Sequence, residues 1–87
     1  MLPDIKKLSK YKHAIGVQVE GEKRPLQLRL VAGEQVIDQV PYSADALLTL
    51  DELRVGEGPV RIRAVGVYAD GMEVSSPPVR TTVEFDG

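Results

Sequence analysis

From Ile15 onward, apolar residues recur at every second position. Ile15, Val17 and Val19 alternate with Gly16, Gln18 and Glu20, the period of a strand with one buried face. A polar turn follows over Gly21–Pro25, and Leu26, Leu28 and Leu30 then alternate with Gln27 and Arg29. This predicts a second strand. The turn Ala32-Gly33-Glu34 comes next, where Gly33 takes a positive φ without steric cost. In the third predicted strand Val36 and Val40 lie on one side and Ile37 on the other. Pro41 ends it, because proline has no donor for a sheet ladder.

A fourth strand is predicted over 46–50, ALLTL, with Ala46, Leu48 and Leu50 on one face. A helical turn competes there, since Ala and Leu favour helix. Asp51-Glu52-Leu53 reads as a corner in which Leu53 plugs the base of the fold, and Gly56-Glu57-Gly58-Pro59 is a break. The longest strand spans 60–69. Val60, Ile62, Ala64 and Gly66 face one way; Arg61, Arg63, Val65 and Val67 face the other. Asp70-Gly71 is a strong hairpin signal. The chain resumes at Met72-Glu73-Val74, is interrupted by Ser75-Ser76-Pro77-Pro78, and continues over 79–85. Two prolines inside a strand mark a sheet edge, where missing donors cost little.

Residues 1–13 follow another pattern. Leu2, Ile5 and Leu8 recur every third residue, and Pro3 suits a first helical turn. An isolated helix this short is marginal, so a weakly ordered basic leader or linker is expected there, with the folded domain over 14–87. Seven short strands with turn signals every 8–12 residues or so predict an all-β antiparallel sandwich or small barrel. No crossover helix is available for a parallel sheet. The pairs Val17/Val19, Leu28/Leu30, Leu48/Leu50, Val60/Ile62 and Val83/Phe85 are the expected core, which is aliphatic because the chain has one Phe and no Trp.

Composition narrows the chemistry. The 87 residues suffice for one small domain. With no Cys, disulfides and thiolate metal sites are impossible. A single histidine, His13, leaves few means of building a catalytic pair, so an enzyme is the least expected outcome. No metal or cofactor is expected. Net charge is −2, unevenly spread: Lys6, Lys7, Lys10 and Lys12 against Asp4 give +3 over the first 13 residues, and the rest carries −5. A nucleic-acid-binding barrel would use those lysines, but its binding face should be broadly basic, so no nucleic acid is expected. No membrane span is expected, and no apolar h-region follows Met1. The chain is then either intracellular or part of a longer exported protein.

The stretch from Leu26 to Phe85 resembles bacterial immunoglobulin-like domains of surface and secreted proteins, and is more distantly similar to fibronectin type III modules. LQLRLVAGEQV looks like that family's strand, Gly turn and second strand; Pro41-Tyr42-Ser43 like its lead into the next strand. GEGPVRIRAVGVYADG resembles its Gly-x-x-x-Leu-x-Ala-x-Ala run ending in a Gly hairpin, and SSPPVRTTVEF its closing strand. The paired cysteines and core tryptophan of antibody domains are missing, and Tyr68 stands where a polar residue usually precedes the turn. The resemblance implies an immunoglobulin-like sandwich serving as a non-catalytic spacer or presenting module of a larger exported bacterial protein. It would be extracellular or at the cell surface, with neighbouring domains, another protein or a glycan as partner.

The candidate interaction surface is Arg61, Arg63, Val65, Val67 and Arg80, outward positions of the late strands, with Arg29 joining if its strand shares the sheet. A basic face of this kind suits sulfated glycans or phosphate. The plain alternative is cross-strand pairing with Glu73 and Glu84. Val65 and Val67, exposed on that face, suit a contact with another domain. Tyr11, Tyr42 and Tyr68 are candidates for stacking on sugars, the basis of a carbohydrate-binding reading. Asp45, Asp51, Asp70 and Asp86 lie in or near loops, where turn chemistry explains them better than calcium. Lone His13 is expected to be solvated.

Overall fold

The computed structural model describes residues 2–85. Alternation becomes eight strands: β1 (Leu2–Lys7), β2 (Lys12–Gln18), β3 (Gln27–Ala32), β4 (Gln35–Pro41), β5 (Leu47–Asp51), β6 (Gly58–Val67), β7 (Glu73–Ser75) and β8 (Val79–Val83). One short helix, α1 (Glu52–Val55), links β5 to β6. Every pairing is antiparallel. One sheet has the order β1-β2-β5. The other runs β4-β3-β6, with β7 and β8 in succession along the far side of β6.

The core shows that the two sheets face each other. Ile15, Leu48 and Leu50 come from the three-stranded sheet; Leu28, Leu30, Ala32, Ile37 and Ile62 come from the other, and all eight form one buried cluster. Val17, Val19, Val60, Val79 and Tyr42 pack around it, half-buried. The result is an aliphatic two-layer β-sandwich. The β7/β8 interruption sits at a sheet edge, as the two prolines require.

Three local expectations change. The stretch read as a basic leader contains β1 and the start of β2, paired from Leu2↔Gln18 to Lys7↔His13. The ladder to β2 supplies the partner that an isolated short segment lacks. The side chains from Asp4 to Lys7 are exposed, and Ile5 carries no core burden at 40% exposure. Leu53 does not plug the base: it is 61% exposed on α1. That turn starts because the Asp51 carboxylate accepts the Leu53 N–H at 3.1 Å, and it ends at Gly56 with φ 97°. In β4, Ile37 is buried while Val36 is exposed. Opposite the Leu30–Val31 step the register slips, so that Ile37 is the extra residue of a bulge. A bulge re-aims side chains, and it brings Ile37 into the core.

The same bulge closes one long side of the sandwich. Asp38 lies on β4 with its carboxylate turned toward β5, where Oδ2 accepts the Thr49 N–H at 2.7 Å and Oδ1 accepts the Gln39 N–H at 2.8 Å. Arg54 of α1 donates to the Ile37 carbonyl at 3.2 Å. Two facing edges are thus tied by side chains in place of a ladder, and an inward-pointing charge blunts both.

Candidate interaction face

The outward side of the larger sheet carries all five predicted site residues. The core side fixes the parity: Ile62 and Ala64 of β6 and Val83 of β8 are buried, so Arg61, Arg63, Val65, Val67 and Arg80 point away from the core. The register then sets their neighbours. Arg61 stands directly opposite Arg80. Arg63 is opposite Val31, Val65 is flanked by Arg29 and Ser75, and Val67 by Gln27 and Glu73.

Val65 is not exposed. It is 4% accessible, and Val67 is half-buried. The cover is Arg29. This side chain leaves β3, donates to Gln39 Oε1 of β4 at 2.9 Å, and reaches Glu73 Oε1 of β7 at 3.2 Å. β6 runs between β3 and β7, so the Arg29–Glu73 bridge spans β6 in the rows of Val65 and Val67. A long cationic side chain hides apolar surface in this way while its head stays in water. Val31, on the same outer face, is also buried.

The arginines divide into two groups. Arg29 joins the face as its sheet position allows, and it takes Glu73 for itself. Arg61, Arg63 and Arg80 form no salt bridge among the described residues. One Arg63 nitrogen donates to Ser75 Oγ at 3.2 Å. Arg61 and Arg80 are exposed. The expected pairing with Glu84 does not form, because Glu84 lies four residues beyond Arg80, roughly 13 Å along a strand. Continuing the β6–β8 register sets it beside Glu57, whose carboxylate accepts the Phe85 N–H at 3.3 Å.

Other candidate residues have local duties. Asp51 caps α1, and Asp70 accepts the Met72 N–H at 3.0 Å within the β6–β7 hairpin. Asp86 lies outside the described residues. Among the described residues no cluster of three or more His, Asp or Glu side chains is placed to hold a metal ion. Tyr42 packs against the core. Tyr68 lines a shallow groove with Met72, Val74 and Arg24 at the end of the sandwich that carries the 19–26 connection. Tyr11 meets Phe85 edge-on at 5.5 Å, with Lys10 lying 5.4 Å over its ring. His13 is not solvated. Its Nε2 meets Glu52 Oε1, and both side chains are largely buried.

Ser76 was hidden in the sequence as one half of a strand break. It is buried, its N–H donates to the Ala64 carbonyl at 2.8 Å, and its hydroxyl accepts the Ala64 N–H at 2.9 Å. The side chain thereby replaces the ladder acceptor lost between β7 and β8. Its place immediately before Pro-Pro in an edge strand is a trace of that role in the sequence. No helix among the described residues is long and apolar enough to cross a membrane. In comparisons with known proteins, no family model matches the chain, and neither a curated protein nor a solved structure matches it.

Proposed function

We propose that this domain is a non-catalytic immunoglobulin-like module that spaces or presents neighbouring domains of a larger exported bacterial protein. The observation that carries the reading is the path of the chain ends. Leu2 pairs with Gln18, and Phe85 packs on Tyr11 just before the opposite end of the same strand, β2. The described chain thus enters at one pole and leaves at the other, in a body 45 × 23 × 17 Å across. Such a body holds whatever is attached to its two ends apart.

The strand arrangement adds support. In immunoglobulin-type sandwiches the first, second and fifth strands share one sheet, and the third, sixth and last share the other. Here β1, β2 and β5 stand against β3, β6 and the β7/β8 pair. The fourth strand differs from the constant-type order, having moved to the β3 edge. The carbohydrate-binding reading loses its tyrosine platform, since Tyr42 is committed to the core and Tyr68 to the groove.

Two measurements test the proposal. Small-angle scattering of the domain placed between two folded reporter domains is expected to give an elongated particle, with the reporters separated by the sandwich. Reporters in mutual contact would contradict the spacer role. Limited proteolysis of intact source cells is expected to remove an epitope tag placed in the 21–24 turn; complete protection, with cleavage only after lysis, would contradict export.

A further inference from the structure

We infer that Arg61, Arg63 and Arg80 form an oxyanion site for the sulfate esters of an extended sulfated polysaccharide. The inference goes beyond the spacer reading and does not depend on it. Arg61 and Arg80 are directly opposed across β6 and β8, which sets their Cβ atoms about 4.5–5.5 Å apart. Arg63 is two residues along β6 on the same face, about 7 Å further. Like charges placed directly opposite repel one another.

Among the described residues no ion pair relieves that repulsion. The protein has 13 carboxylates against 11 Lys and Arg, yet among the described residues only Glu52 and Glu73 form ion pairs, with His13 and Arg29. Glu34 sits beside Gly33, whose N–H donates to the Arg61 carbonyl, and it makes no ion pair with Arg61. Glu57 and Glu84 lie beyond the Pro59/Thr82 row, four residues along their strands from Arg61 and Arg80, and neither forms an ion pair with them. The pair is thus left open to an anion from outside the chain.

Its chemistry follows from the side chains. Guanidinium groups present planar forks that match two oxygens of a tetrahedral oxyanion, which ammonium groups do not. The row is flat and open, so a single small anion binds weakly. A polymer with anionic groups in series gains from simultaneous contacts along Arg80, Arg61 and Arg63. The surrounding outward residues are Val31, Pro59, Val65, Ser75 and Thr82. None is aromatic, so the face lacks the stacking platform that single-stranded nucleic acid uses. The adjacent hydroxyls of Ser75 and Thr82 suit a polyhydroxylated chain.

The test is a nuclear magnetic resonance titration of the ¹⁵N-labelled domain with heparin at about 150 mM salt, with de-sulfated heparin and single-stranded DNA as comparison probes. Heparin is expected to shift the amides of Gly58, 60–63 and 79–83, and de-sulfated heparin to shift neither group. The R61Q/R80Q double variant is expected to weaken heparin binding at least about tenfold, while its unchanged amide dispersion reports an intact fold. Replacing Lys6, Lys7, Lys10 and Lys12 by Gln is expected to change it less than about threefold. Shifts centred on residues 6–12, unchanged affinity in R61Q/R80Q, or equally tight binding of DNA would each overturn the assignment.

Discussion

Ser76 performs a task that its neighbours do not. Its hydroxyl is the acceptor for a buried backbone N–H at Ala64, so Ser76→Ala leaves that donor without a partner. The expected loss is about 1–3 kcal/mol, read from urea unfolding. Ser75, exposed one residue earlier, should tolerate alanine within about 0.5 kcal/mol. The two serines look alike in sequence, because what separates them is a partner twelve residues away. Core leucines make a similar contrast. Leu48 is fully buried and Leu53 is exposed. Leu48→Ala is expected to cost about 2–5 kcal/mol and Leu53→Ala less than about 0.5 kcal/mol. Alternation over 46–50 identified Leu48 correctly. Leu53 was misplaced because a Leu after a corner looks equally apolar whether or not anything covers it.

Strands were legible wherever period two was unbroken. β5 follows from alternation alone; β3 and β6 follow from it on their core face, while Leu26 is left exposed outside β3 and Val31 and Val65 are buried on the outer face. β4 did not follow, because the bulge at Ile37 inserts one residue and reverses the parity of what precedes it. β1 was equally hidden: its side chains from Asp4 to Lys7 are exposed on both faces, so no alternation marks it. The outer face was half legible. Parity placed Arg61, Arg63, Val65 and Val67 together, but the reach of Arg29 over β6 is a matter of side-chain length and register. Asp38→Ala removes the acceptor for Thr49 N–H on the closed side of the sandwich, with an expected cost of about 1–3 kcal/mol and faster hydrogen exchange confined first to β4 and β5. Arg80→Gln removes the charge facing Arg61, and is expected to stabilise the protein by a few tenths of a kcal/mol, or about 0.2–0.5. That gain should vanish in 1 M salt, where screening acts within about 3 Å; a gain that persists would mean the repulsion is not its source.

At the scale of the molecule, the two sheets share one aliphatic core, one long side is tied by Asp38 and Arg54, and the chain runs from pole to pole. Those three features place the described ends at opposite poles of one body, and the proposed spacer role requires that body to be stiff. The chain has no cysteine, so a pair of introduced thiols can be labelled without interference. Gln18, opposite Leu2, and Glu84, beside Phe85, are both exposed and mark the two poles. Counting along β2 separates them by about 20–25 Å. Electron–electron distance measurement between spin labels at Q18C and E84C should give one narrow distribution centred near that separation, lengthened only by the label arms. A peak below about 15 Å, or a broad distribution with no dominant distance, would contradict a rigid module with its ends at opposite poles.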